Sequence, residues 1–346
     1  MIISERPGAR RPTLDDVAAV AGVGRSTASR VVTGSPRVSA EAKRAVEDAI
    51  AVLGYVPNAA ARSLVTRRTD AIAFVLSDDE LMRPDDFYFG GILRGVSREV
   101  TARGRQLVIA LNDDESRLES YLARQVVDGV LLLSLEAGDS RPWDMRRIGM
   151  PMVIAGRPDG WIAGACVTVD NEGGARQAVE HLMAAGCRRI AMITGGMRNL
   201  DSRARYEGYG TALRAAGRLV DPALVVEGRR LMGHGAGEEA MAELLRREES
   251  ADFPIDGVFA ATDGLAFDAV RALRAAGRRV PEDVRVVGFD DNPLAATFDP
   301  PLTTIAQPYE EIGRTMTRML LEQIDSGAAS MPPVVLPTEL RRRASA

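Results

Sequence analysis

Residues Thr13 to Thr33 read TLDDVAAVAGVGRSTASRVVT, and the reading of the whole chain turns on this stretch. Leu14, Val17, Ala18 and Ala21 fall at i, i+3, i+4 and i+7, the spacing of one apolar helix face. Thr13 stands directly before that pattern, where a hydroxyl can cap the first free N–H groups. Gly22-Val23-Gly24 then interrupts the helix. In the segment that follows, Ala28, Val31 and Val32 form an inner face. Arg25, Ser26, Ser29 and Arg30 lie on the opposite one, because a step of four returns a helix to nearly the same side. Two short helices about a glycine turn, the second with arginines and hydroxyls outward, predict a helix-turn-helix whose second helix suits the major groove. A helical hairpin with a solvated basic face has the same pattern, so this stretch alone leaves both readings open.

The next residues separate them. Val38-Ser39 opens a third helix with apolar positions Ala42, Ala45, Val46, Ala49, Ile50 and Leu53, and Gly54 ends it. Tyr55-Val56-Pro57-Asn58 leads into Ala59-Ala60-Ala61-Arg62-Ser63-Leu64. The pieces TLDDVAAVAGV, STASRVV, VSAEAKRAVEDAIAVLGYVPN and AARSL, in this order, resemble the DNA-binding end of the lactose-repressor/galactose-repressor (LacI/GalR) family. The resemblance continues through PPLTTIAQPYEEIG (300–313) and VVLPTEL (334–340).

Charge is distributed accordingly. Residues 1–68 carry eleven Arg or Lys against six Asp or Glu, a net of +5 that leaves −9 on the remainder of a chain of net charge −4. A basic head on an acidic body confines phosphate attraction to one end. Residues 1–11 read as a mobile basic arm, 12–57 as the DNA-binding domain and 58–68 as a hinge helix and linker. The hinge has three alanines but is too short to be stable alone.

With 346 residues, 46% of them hydrophobic and only 5% aromatic, the rest of the chain suits a large aliphatic α/β core. Cys166 and Cys187 lie in unrelated contexts and His181 and His234 in no ligand pattern, so no metal or cofactor is expected. No apolar run reaches membrane-spanning length and no signal peptide opens the chain, so the expectation is a cytoplasmic protein, nucleoid-associated when on DNA. From Thr69 onward short apolar strands alternate with helices: 71–76, 106–111, 130–133, 151–154, 167–169, 190–193, 258–260 and 284–289 read as strands. Such repeats imply buried parallel sheets, and about nine strands divide more readily into two sheets than one.

The family resemblance implies two doubly wound subdomains of periplasmic-binding-protein type with a ligand cleft between them. The body, 69–346, would comprise an N-subdomain (about 69–162 plus 293–324) and a C-subdomain (about 163–292 plus 325–346). Its three crossings would fall near 159–164, 291–293 and 323–327. No leucine heptad follows Leu340, so a homodimer is expected and not a tetramer.

Arginine can grip guanine O6 and N7 with two hydrogen bonds, and Ser26, Thr27 and Ser29 are short donors for phosphates or base edges. The resemblance places Arg25, Ser26 and Arg30 at base-reading positions and Leu64 at the minor-groove wedge of the hinge. Gly24 departs from the family's usual serine or threonine, leaving a backbone N–H in place of that contact. The full expected DNA set is Thr13, Gly24, Arg25, Ser26, Thr27, Ser29 and Arg30, with Asn58, Ala61 and Leu64 in the hinge. The competing reading of Arg30 is a surface ion pair with Asp16.

In the body, Tyr88 and Phe89 open a helix where rings can stack on a sugar face. Arg205 lies in SRARYEGY, which matches the family's x-R-x-x-G-aromatic pattern. Asp263 in ATDGLAF, Asp170 and Asp290 each follow a strand, and open α/β sheets bind ligands at strand carboxyl ends. The alternatives are half-buried core aromatics and structural ion pairs. Arg229-Arg230 stand where members carry a Gly-Asp-aromatic turn, and the glycines at 233, 235 and 237 resemble a nucleotide loop only weakly. With no GxSxG, Walker loop or nucleophile–base pairing, an enzyme is disfavoured. The function expected is a sequence-specific DNA-binding regulator, a repressor of double-stranded operator DNA, controlled by a small-molecule effector such as a sugar. A DNA-binding regulator answering to a protein partner and a cytosolic solute-binding protein are the alternatives.

Overall fold

A computed structural model describes residues 10–57, 68–76, 87–111, 115–133, 138–156, 165–228, 235–248, 254–328 and 331–346. The chain divides into two units, Met1–Thr69 and Asp70–Ala346. In the first, α1 (Leu14–Val20), α2 (Arg25–Val32) and α3 (Ala40–Leu53) form where the apolar spacing places them. Thr13 and Asp16 make a reciprocal capping box at the start of α1. Gly22, at φ +66°, supplies the left-handed residue that turns the chain into α2. Val17, Ala18, Ala28, Val46 and Ala49 are buried together at the centre. The hinge residues Asn58, Ala61, Leu64 and Arg67 lie outside the described residues.

The second unit holds two six-stranded sheets. The first contains β1 (Ala71–Leu76), β2 (Gln106–Leu111), β3 (Gly129–Leu132), β4 (Met152–Ala155), β5 (Ala165–Val169) and β11 (Val334–Leu336) in the order 2-1-3-4-5-11. The second contains β6 (Ile190–Thr194), β7 (Val225–Glu227), β8 (Gly257–Ala260), β9 (Arg285–Asp290), β10 (Thr303–Ala306) and β12 (Glu339–Arg341) in the order 7-6-8-9-10-12. All pairings are parallel except β10 with β12. Each sheet therefore repeats the 2-1-3-4-5 order of a doubly wound domain, with a switch point beside its first strand. Central strands such as β1, β3, β4, β6 and β8 are buried on both faces, which is why they read as continuous aliphatic runs.

Helices α4 (Phe87–Ala102) and α11 (Tyr309–Ser326) cover one face of the first sheet, α5 (Glu115–Leu122) and α6 (Arg141–Arg147) the other. Helices α7 (Asn171–Ala184), α8 (Leu200–Ala215), α9 (Ala236–Glu248) and α10 (Asp263–Ala275) cover the second sheet. The chain crosses between sheets at Asp170, between Ala306 and Tyr309, and between Leu336 and Glu339. This corrects the expected subdomain bounds at every crossing. Residues 165–169 belong to the first sheet because Val153 pairs with Ala165. Residues 303–306 belong to the second because Thr303 pairs with Val287, and 334–336 return to the first beside β5. An apolar strand shows by its pattern that it is buried, but not which sheet receives it.

Candidate DNA-reading surface and candidate ligand site

The α2 surface follows from a single buried side chain. Ala28 is fully buried in the head core, which turns Arg25, Ser26 and Arg30 outward and leaves Thr27 and Ser29 at the margin. Gly24 is the N-cap of α2 in extended conformation with no side-chain cap. Arg25 lies 3.4 Å from Asp15 in an exposed pair. Asp16 is committed elsewhere. Its carboxylate accepts the Thr13 N–H at 2.7 Å, the Thr13 hydroxyl at 2.7 Å and Arg10 at 2.8 Å. The Thr13 bonds hold it below the usual carboxylate range. The Arg30–Asp16 pair is thus not formed, and Arg30 stands exposed with no carboxylate partner among the described residues. Thr13 spends its hydroxyl on the cap.

In the body, side chains at the carboxyl ends of both sheets meet. Arg205, on α8, is 6% exposed and held on several sides. Its Nε donates to Asn171 Oδ1 at 2.8 Å and its Nη1 to the Ala261 carbonyl at 2.6 Å. The guanidinium lies 3.8 Å above the Phe289 ring and 3.6 Å from Asp290 Oδ1. Asn171 also donates to Asp201 Oδ1 at 2.9 Å. Asp201, from α8 over the second sheet, faces Gly156 at the end of β4 in the first, where a Cβ would sit 3.6 Å from its carboxylate. Burial raises the Asp201 carboxyl, against the pull of Arg205 and Asn171.

Asp290 ends β9 at φ +127°, and Asp291 follows at φ +55°. Two consecutive non-glycine residues at positive φ are strained, each by about 1–3 kcal/mol, and persist because their side chains are tied. Asp290 Oδ1 accepts Gln307 Nε2 at 2.7 Å, and Asp291 pairs with Arg343 at 2.6 Å. Tyr309, the first residue of α11, meets Tyr88 edge-on with centroids 5.5 Å apart. Burial and the Asp290 carboxylate raise its hydroxyl well above the usual tyrosine range.

Three of the six expected ligand residues, Arg205, Asp290 and Tyr88, come together here. The other three are engaged elsewhere. Asp263 is wholly buried, with Oδ2 accepting the Asn292 N–H at 2.7 Å and Oδ1 the Thr304 hydroxyl at 2.5 Å. Burial first, then Asp290, pushes its pKa well above the ordinary carboxylate range. Gly288 makes room for it, since a Cβ there would lie 2.2 Å from Asp263 Oδ1. Asp263 therefore supports the Asp290 turn from beneath and presents no surface to a ligand. Asp170 is exposed and caps α7, accepting the Gly173 N–H at 2.8 Å. Phe89 stacks on Phe74 at 5.7 Å, at the rim of the first sheet's core. Asn171, Asp201 and Tyr309 also stand at this meeting of the sheets, and the sequence reading does not single them out. The first adjoins Asp170, and Tyr309 lies inside the matching PPLTTIAQPYEEIG segment.

The glycine-rich stretch is answered internally. The N–H groups of Gly235 and Gly237 both donate to Asp268 Oδ2, at 3.0 and 3.1 Å, so a protein carboxylate fills the place of an anion. Arg229 and Arg230 lie outside the described residues. Cys166 and Cys187 are buried free thiols, and among the described residues no His/Cys/Asp/Glu cluster could hold a metal. No described helix is long and apolar enough to cross a membrane.

Comparison with known proteins agrees with both halves. Residues 13–58 match the lacI family of bacterial regulatory proteins, and residues 179–346 match a periplasmic binding protein-like domain. The HTH-type transcriptional regulator CelR of Thermobifida fusca is 46% identical over 97% of this chain and 98% of its own. A CelR–cellobiose complex superposes with TM-score 0.76 at 43% identity, covering 97% of this chain and 100% of that one. The lac repressor dimer bound to operator and the anti-inducer ONPF gives TM-score 0.81 at 26% identity, covering 97% and 99%. With 46% identity to a LacI-type regulator over almost the full length of both chains and the fold shared with both structures, the chain belongs to the LacI family of bacterial regulatory proteins, DNA-binding transcriptional regulators.

Proposed function

We propose that the body binds a neutral sugar of the cellobiose kind at the meeting of the two sheets, and that binding sets the affinity of a homodimeric repressor for its operator in the cytoplasm. The observation that carries this reading is the buried Arg205, flanked by Asp201 and Asp290 and faced by the Tyr88–Tyr309 pair. Carboxylates accept from sugar hydroxyls, the guanidinium between them donates to sugar oxygens, and tyrosine rings offer apolar faces to the pyranose. With Asp290 3.6 Å from the one arginine and Asp201 beside it, the described site offers no excess of positive charge, which disfavours a phosphorylated sugar. The relatives are regulators, and we read no covalent chemistry into this site. In the head, Arg25, Ser26 and Arg30 are the proposed base readers.

Calorimetric titration of the intact protein tests the ligand. Cellobiose should bind, glucose 6-phosphate should not, and Arg205→Lys should lose at least tenfold in affinity, because a buried bidentate partner is replaced by a point charge. Tighter binding of glucose 6-phosphate, or an Arg205→Lys protein that binds cellobiose as the wild type does, overturns the reading.

A further inference from the structure

The boundary between the two units falls at the Thr69–Asp70 peptide, and Asp70 is gripped by a half-buried charge cluster. Arg105, directly before β2, is 14% exposed at its side chain and faces three carboxylates. Its Nη1 lies 2.8 Å from Asp70 Oδ1 and 3.5 Å from Asp128 Oδ2, and its Nη2 lies 3.2 Å from Asp325 Oδ1. Asp128 Oδ2 also accepts the Asp70 N–H at 2.9 Å. The Asp70 carbonyl accepts the Gln106 N–H at 2.8 Å, and the Asp128 N–H bonds to the Ala71 carbonyl at 2.7 Å. Asp70 itself sits at φ +54°, a conformation that a non-glycine residue keeps only when its surroundings impose it. Four elements thus converge on the residue from which the linker departs.

One of the four comes from the ligand site. Asp325 lies in the last turn of α11, and Tyr309 is the first residue of the same helix. The two are roughly 24 Å apart along the axis at 1.5 Å per residue. Along the way α11 lies backbone to backbone against α4. A Cβ at Gly95 would stand 2.0 Å from the Glu310 carbonyl, and one at Gly313 would stand 2.1 Å from the Ile92 carbonyl. Nearer the base, a Cβ on Gly129 would meet Leu320 at 2.8 Å and Ile324 at 3.1 Å. With no side chains between the backbones to absorb a shift, displacement of Tyr309 moves the whole helix.

We propose that Arg105 is the positioning residue that converts ligand-dependent placement of α11 into placement of the linker, by holding Asp325 of that helix and Asp70 of the linker exit in one guanidinium. Its link to the cleft rests on the reading that ligand control acts through Tyr309. Its grip on Asp70 is independent of the ligand's identity.

The experiment uses the full-length protein and the duplex that the wild type selects from a random-sequence pool. Arg105→Met should lower affinity for that duplex at least tenfold while binding to unselected duplex changes less than twofold. Amide exchange in residues 68–72 should accelerate at least tenfold. Arg105→Lys should recover part of both effects. Asp325→Asn, at the half-exposed end of α11, should leave the Asp70 grip but shrink the change in operator affinity caused by cellobiose. If wild-type operator binding ignores cellobiose, the proposed effector fails, and the ligand-free measurements still judge Arg105. Operator affinity and 68–72 exchange within twofold of wild type in Arg105→Met overturn the proposal. Should that variant not fold, unchanged 68–72 exchange in Arg105→Lys does so.

Discussion

Replacing Asp263 by asparagine should leave the body folded and remove part of its pH dependence, whereas alanine should destabilise it. Asp263 accepts two buried bonds, from the Asn292 N–H and the Thr304 hydroxyl. Alanine strands both donors at about 1–3 kcal/mol each, partly offset by relief from burying a carboxylate, for a net loss of about 2–4 kcal/mol. Asparagine keeps both contacts. Its amide oxygen can face the Asn292 N–H while its NH2 donates to Thr304, because a hydroxyl accepts as readily as it donates. The pH effect has a definite sign. The folded pKa of Asp263 lies well above the ordinary 3.8. Within the window from 3.8 upward to that raised value the native state retains a proton that the unfolded chain has released. Stability present below 3.8 is therefore lost as pH rises through the window. An asparagine side chain does not titrate, so the difference between the two proteins isolates this one group from every other carboxyl. Thermal unfolding followed by circular dichroism from about pH 4 to about pH 8 should show the asparagine variant gaining on the wild type as pH rises. Parallel curves for wild type and Asp263→Asn, or an alanine variant as stable as the wild type, refute the reasoning.

Three further outcomes follow from the same structure. Arg30→Ala should relax base preference at one operator position and cost about 1–3 kcal/mol on specific DNA, read by competition binding against duplexes randomised at each position. Gly95→Ala should drive a Cβ into the Glu310 carbonyl, which lies 2.0 Å away in the present geometry, and lower the melting temperature of the body without touching DNA contacts in the isolated head. Tyr309→Phe should keep cellobiose binding within a few-fold by calorimetry, because the ring is retained, while Tyr309→Ala should lose it.

What could be read from the residues is what local pattern determines. The capped α1, the glycine turn and the outward Arg25 and Arg30 depend on spacings of three and four. The strands depend on short aliphatic runs. Sheet membership depends on pairing between segments far apart, and the crossings at Asp170, Gln307 and Pro337 carry no local mark that distinguishes them from ordinary loops. Asp263 shows a different limit. A carboxylate after a strand reads as a ligand contact whether or not its oxygens are already taken, and only the positions of Asn292 and Thr304 reveal that both are. The Asp170-Asn171 pair is subtler still. One residue caps a helix and its neighbour holds Arg205, and the dipeptide does not say which does which.

The polar groups at the meeting of the sheets are almost all satisfied by one another, which constrains how a ligand can act. Arg205 already has Asn171, Ala261 and Phe289, and Asp290 already has Gln307. On the proposed reading a sugar hydroxyl gains its bond by exchange, so its net gain is about 0.5–1.5 kcal/mol and not the full strength of a new bond. Exchange at Asp290 matters most. Gln307 lies in the crossing between β10 and α11, two residues before Tyr309. A hydroxyl that displaces Gln307 Nε2 from Asp290 Oδ1 loosens one tether of that crossing, while Asp290 itself is held at a strained φ that its ties maintain. On that reading the oxygen proposed to recognise the ligand is the same one that tethers the start of α11. Recognition and the movement of that helix are then one event, which gives the ligand the differential affinity for two conformations that any control of DNA binding requires.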